Sequence, residues 1–173
     1  PLYGVMINGK ECIENSDRSK SPINSLFQKK GNSPVSLVRI AINFSHALKV
    51  EKIAKQLKDM GYLVGLNMMQ AQAKNERDYI ETAKKIASWG VVDVLYFADS
   101  LGNMTPVDVQ KICQSLKKGW TGTLGIHTHN NKNLALINSI TAIENGVSWC
   151  DGTVTGMGRG AGNVATESLI LEM

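Results

Sequence analysis

The sequence predicts an α/β fold, a TIM (β/α)8 barrel that is incomplete. Three observations predict it. Short apolar runs alternate with helical patterns along all 173 residues, so that a strand–helix unit returns about every 30 residues, the spacing of a barrel that takes ~250 residues in full. Most of the runs read as apolar on both faces, as parallel strands covered on both sides require. The first run ends in Asn8-Gly9-Lys10, not in the GxGxxG turn by which an open doubly wound sheet usually announces itself. Six strands are present and two are missing, so the chain is expected to be a fragment or one part of a larger barrel.

Each element has its own reason. Leu2–Ile7 opens as a strand. The connector Lys10–Pro34 is polar and turn-rich (Asn15-Ser16-Asp17, Ser21-Pro22, Gly31-Asn32-Ser33-Pro34), with one weak helix around Ile23–Lys29, and reads as a surface excursion. Leu37–Ile42 is the second strand. Ala47, Leu48, Ile53, Ala54, Leu57 and Met60 then recur at helical spacing until Gly61 caps them. Strand Leu63–Met68 precedes a helix from Asn75 to Trp89, closed by Gly90. After strand Val94–Ala98, Thr105-Pro106-Val107-Asp108 is a capping-box variant with proline at the first helical position, and its helix ends at Gly119. Strand Thr123–Thr128 leads to a helix over Leu134–Glu144, stopped by Asn145-Gly146. Strand Trp149–Val154 is the sixth, and a last helix begins near Asn163 and reaches Met173.

Size and composition narrow the function classes. Residues 1–173 suit a single domain. The net charge of +4 comes largely from lysines on helix-like stretches (Lys49, Lys52, Lys55, Lys58; Lys84, Lys85; Lys117, Lys118), which a solvated face explains. Aromatics make up 6%, too few for a nucleic-acid stacking platform, so no nucleic-acid partner is expected. No run of about 18 apolar residues crosses a membrane. Pro1 to Lys10 lacks a secretory pattern. Cys12, Cys113 and Cys150 form no CxxC pair, which fits free thiols in a reducing cytoplasm better than structural zinc.

The chemistry gathers just past the strands' C-terminal ends, where a barrel enzyme builds its site: Asn43, Asn67, Asp99-Ser100-Leu101-Gly102, His127 and His129, and the loop Gly156 to Asn163. In Gly125-Ile126-His127-Thr128-His129-Asn130-Asn131 the two histidines are one residue apart, and only on a strand does that spacing aim both imidazoles the same way. Two neutral imidazoles in one space are half of a first-row metal site. The bland alternative is a pair of rim histidines bonded to carbonyls. Asn163 is either a helix cap or an amide-oxygen ligand. Asp99 either serves the site or pairs with Arg39 or a backbone amide.

Together, Val38-Arg39-Ile40-Ala41, Tyr96-Phe97-Ala98-Asp99-Ser100-Leu101-Gly102, the HxH segment above and Gly156-Met157-Gly158-Arg159-Gly160-Ala161-Gly162-Asn163 resemble the HMG-CoA-lyase-like, or DRE-TIM, metallolyases. The resemblance runs from about Val38 to Met173 and lies nearest the 4-hydroxy-2-oxovalerate-aldolase-like members. It implies that the six strands are about the family's third to eighth, and that the chain is the C-terminal three-quarters of a catalytic barrel domain. It implies metal ligands at His127, His129 and Asn163, a catalytic Asp99 near the metal, and substrate contacts from Ser100 and Arg39. The cofactor would be a divalent ion, Mn2+ or Mg2+ foremost, with Co2+ or Zn2+ also compatible. The reaction would be a class II aldolase cleavage or condensation of a 2-oxo acid and an aldehyde through a metal-stabilised pyruvate enolate, in a homodimer.

The chain departs from the family in two places. It holds no DxxRD-type segment, which supplies the family's carboxylate ligand and catalytic arginine, so these residues alone are expected to be inactive. The loop Thr155 to Gly162 lacks the cysteine that HMG-CoA lyase carries there. Three other readings remain: a Claisen-type synthase joining an acyl-CoA to a 2-oxo acid, a zinc amidohydrolase, and an inactive barrel kept for binding. The amidohydrolase needs later histidines, and beyond the pair there is only His46, which precedes it.

Overall fold

A computed structural model of the chain describes residues 2–14 and 22–173. Six parallel strands lie side by side in chain order: β1 (Tyr3–Asn8), β2 (Val35–Asn43), β3 (Leu63–Met69), β4 (Val94–Asp99), β5 (Thr123–Thr128) and β6 (Trp149–Cys150). A doubly wound sheet reverses direction at a switch point between strands; this one never does, as in the wall of a barrel. The intervening helices are α1 (Gly9–Glu14), α2 (Pro22–Leu26), α3 (Glu51–Asp59), α4 (Glu76–Ser88), α5 (Pro106–Lys117), α6 (Ala135–Glu144) and α7 (Thr166–Leu171).

Strand alternation divides the side chains between two surfaces. Val38, Ile40 and Ile42, Val64, Leu66 and Met68, Leu95 and Phe97, and Leu124 and Ile126 are buried in one core cluster with Leu57, Ile86, Ile112 and Leu116 of the helices. Burying such a side chain contributes about 1.5–3 kcal/mol. The opposite face departs from the apolar reading. One register row crosses all six strands as Asn8, Ala41, Asn67, Tyr96, Gly125 and Trp149. Arg39 and His127 flank it, two residues away on their strands. The sequence pattern hid this because small residues, Ala41 and Gly125, share the row with the polar ones.

Several boundaries shift. The connector read from Lys10 begins inside a helix: the Asn8 side chain accepts the Lys10 and Glu11 amides, and Cys12 is buried on α1. Ile23 on α2 is fully buried and anchors the excursion to the core. The turn at Asn15-Ser16-Asp17 and the residue Ser21 lie outside the described residues. The helix expected from Ala47 starts instead as a 3-10 segment, Phe44–Val50, launched by Asn43 accepting from Ser45. The sixth strand pairs over two residues only. Beyond it, Thr153 leaves the sheet and exchanges hydrogen bonds with Val164 and Thr166. That exchange also delays the last helix: α7 starts at Thr166 with Ala165 before it, so Asn163 is not its cap.

Candidate active site

β5 ends the sheet's inner face with His127, and His129 follows at the first position past the strand. Their ring centroids are 5.1 Å apart at 83°. The residue between them faces the other way: Thr128 is buried and meets the Ser139 hydroxyl of α6 at 3.0 Å. Backbone bonds fix the loop beyond. The His129 N–H donates to the Asp99 carbonyl, the Asn130 N–H to Gly162, and the Lys132 N–H to Gly102. His129 and Asn163 face each other across an isolated antiparallel bridge. The strand ends and the glycine loop are thereby drawn into one site.

Behind the histidines runs a second chain of contacts. The Arg39 guanidinium donates to both oxygens of Asp151, at 2.8 and 2.5 Å. Asp151 Oδ2 also lies 2.9 Å from His127 Nδ1. Arg39 stacks on Tyr96, 4.3 Å from the ring centroid, and Tyr96 meets Trp149 edge-on at 6.4 Å. Burial works to raise the Asp151 carboxyl, yet hydrogen bonds from His127 and Arg39 and the arginine's charge outweigh it and hold the group below the usual carboxylate range. Burial, reinforced by Asp151, pushes the Tyr96 phenol up to about 12 despite Arg39.

Burial and the charges of His127 and Arg159 lower the His129 pKa, partly offset by Asp99 and by a bond to the Gly162 backbone. A neutral imidazole keeps a lone pair for a ligand role. The Asn163 amide donates to the Met157 carbonyl at 3.0 Å, while its Oδ1 is buried with no hydrogen-bond partner among the described residues. A buried acceptor left unpaired costs about 1–3 kcal/mol, so this oxygen is suited to a cation. Two imidazoles and one amide oxygen form the mixed N/O set that first-row divalent ions accept. Among the described residues no three His, Cys, Asp or Glu side chains converge on a metal position, so a carboxylate ligand would have to come from elsewhere.

The other expected site residues separate. Asp99 is wholly buried. Its two carboxylate oxygens accept the Asn103 and Met104 amides at 3.0 and 3.2 Å, the backbone-amide alternative rather than a pairing with Arg39. Burial raises its pKa against those amides. Ser100 accepts the Gln70 N–H at 2.9 Å. A cavity of about 360 Å³ is lined by Arg39, Asn67, Ser100, His127, His129 and Arg159 among others, with no carboxylate in its wall. Sequence reasoning missed Asp151, Tyr96, Gln70 and Arg159 as parts of this constellation. Asp151 could have been found by parity: it stands two residues past the inward-facing Trp149, inside a run otherwise read as strand.

Residues 35–173 match the HMGL-like family. The chain is 38% identical over 135 residues to the 4-hydroxy-2-oxovalerate aldolase of Carboxydothermus hydrogenoformans, covering 78% of this chain and 40% of that protein. It is 37% identical over 137 residues to the enzyme of the same name from Geobacillus thermodenitrificans, covering 79% and 40%. The chain therefore spans about two-fifths of the length of these curated relatives. Its fold superposes on the N-terminal domain of a candidate aldolase from Bacteroides vulgatus with a TM-score of 0.81 at 33% identity, over 99% of this chain and 55% of that one. HMG-CoA lyase of Bacillus subtilis gives a TM-score of 0.76 at 16% identity, over 99% and 61%, a likeness of fold alone. The sheet is thus the wall of a TIM-barrel-type domain, continued in its neighbours by further chain.

Proposed function

The chain belongs to the HMGL-like family, and we propose that the complete protein is a divalent-metal-dependent aldolase acting on a 2-oxo acid and an aldehyde. The observation that carries the reading is the pair of imidazoles of His127 and His129 at one strand end, with Asn163 bridged to His129 through the backbone and its Oδ1 without a hydrogen-bond partner among the described residues. These three residues would hold the cation, Mn2+ or Mg2+ foremost, with one carboxylate from a part of the protein outside these residues. When bound, the cation supplies Lewis acidity toward the charge that develops on a pyruvate enolate.

The chain's own residues bind and orient. Arg159 lines the cavity, and among the described residues it forms no ion pair. Its guanidinium is placed in our reading to receive a substrate carboxylate. Ser100 accepts from Gln70, so its own O–H remains free to donate to substrate oxygen. Arg39 commits two donors to Asp151, packs on Tyr96 and lines the cavity. Asp99, closed off by amides, acts by holding the loop that carries Ser100.

The test is pyruvate release from 4-hydroxy-2-oxo acids by the full-length protein, before and after chelation and with Mn2+ restored. Pyruvate released only with metal supports the proposal. Consumption of acetyl-CoA with a 2-oxo acid and no aldol cleavage would replace it with the synthase, and neither reaction would leave a barrel used for binding.

A further inference from the structure

We propose that Asp151, itself aimed by Arg39, is a positioning residue that holds His127 in the Nδ1–H tautomer and so leaves Nε2 as the nitrogen offered to a cation. The inference rests on the reading of this site as a metal centre, and it gives a role to Asp151, to which neither the sequence motifs nor the family likeness assigns one.

The argument is one of donors and acceptors. An ionised carboxylate can only accept. Asp151 is ionised because Arg39 grips both of its oxygens in a bidentate pair. With Oδ2 at 2.9 Å from His127 Nδ1, that nitrogen must carry the ring proton, and the lone pair of a neutral ring then sits on Nε2. Ligating histidines elsewhere are oriented by the same second contact.

Rigidity is built in behind it. The guanidinium lies over the Tyr96 ring, 4.3 Å from its centroid, and the Arg39–Asp151 side chains are only 14% and 24% exposed. Tyr96 can occupy that place because position 125, its register partner on β5, is glycine. The order of support runs from Gly125 to Tyr96, Arg39, Asp151 and His127, across β5, β4, β2 and the residue that follows β6.

Asp151→Ala separates this role from mere packing. Arg39 Nη2 and His127 Nδ1 meet the same oxygen, Oδ2, so an amide could still accept from both, whereas alanine removes the acceptor altogether. The Nδ1–H preference should then be lost in favour of Nε2–H.

The readout is 15N NMR of histidine-labelled full-length protein, stripped of metal by chelation and held at mildly alkaline pH, with His127→Gln assigning the resonance. The expected result is an Nδ1–H ring in the parent and a mainly Nε2–H ring in Asp151→Ala. Mn2+ affinity of the variant should also fall by about 10–100-fold. An Nε2–H ring in the parent overturns the inference without any variant, and an undiminished Nδ1–H ring in Asp151→Ala overturns it equally. Should Asp151→Ala fail to fold, Arg39→Gln must weaken the Nδ1–H signature, and an unchanged signature counts against the inference. A parent with the expected tautomer but no Mn2+ binding would instead sink the metal reading and leave the positioning role of Asp151 standing.

Discussion

The Ser100 hydroxyl accepts the backbone N–H of Gln70 at 2.9 Å, and Gln70 stands at φ 52°, in the left-handed region. Its side chain in turn accepts from Asn43 at 2.6 Å. The ends of β2, β3 and β4 are thus braced through one strained residue at the rim of the site, where such strain commonly collects. Ser100→Ala should cost about 1 kcal/mol in denaturant unfolding. In a Gln70→Gly background, where the backbone needs less restraint, the same change should cost less. Equal costs in both backgrounds would mean the two residues are not coupled.

Arg159 forms no ion pair among the described residues and lines the cavity. Arg159→Ala should raise KM for a 2-oxo acid roughly tenfold, the scale of one hydrogen bond to a charged group. Isothermal titration with Mn2+ should find its metal affinity unchanged. A fall in metal affinity would place Arg159 in the integrity of the loop instead.

Gly125 is required by its neighbour. A Cβ at that position would collide with the Tyr96 ring. Gly125→Ala should therefore destabilise the fold by about 1–3 kcal/mol, read as a shift of the unfolding midpoint. Tyr96→Leu in the same protein should recover part of the loss by vacating the ring.

The cap of α5 gives an acid-sensitive contribution to stability. Thr105 N–H and hydroxyl donate to Asp108 Oδ2 at 2.9 and 2.7 Å, and these bonds hold the Asp108 carboxyl below its ordinary value. The folded state then binds its proton less readily than the unfolded chain. The stabilisation is fully present above the unfolded pKa of about 4 and is lost as pH falls through the lower folded value. Asp108→Asn should flatten this limb of the stability–pH curve while leaving the neutral region lower throughout. Thr105→Ala should cost about 1 kcal/mol at neutral pH.

What the sequence made legible follows from what leaves a local mark. Thr105-Pro106-Val107-Asp108 is a cap written in four adjacent residues, and it forms as expected. The HxH spacing alone fixed that His127 and His129 share a face, because alternation on a strand is local. Asp151 was hidden because its meaning comes from Arg39, 112 residues away. The sixth strand appeared longer than it is, since Thr153 satisfies its backbone against the returning loop and no pattern within Trp149–Val154 announces that. Asn163 was open between a helix cap and an amide-oxygen ligand for the opposite reason: its position suited a cap, but the helix starts only at Thr166 and the Met157 carbonyl occupies the Asn163 amide nitrogen.

The central claim is that His127, His129 and Asn163 hold a divalent cation, and Mn2+ binding to the full-length protein measures it most directly. Titration followed by electron paramagnetic resonance should find one tight ion per chain. His127→Ala/His129→Ala should abolish it, and Asn163→Ala should weaken it with the fold retained. Full-length protein that binds no ion, or a double variant that binds it as tightly as the parent, would contradict the account.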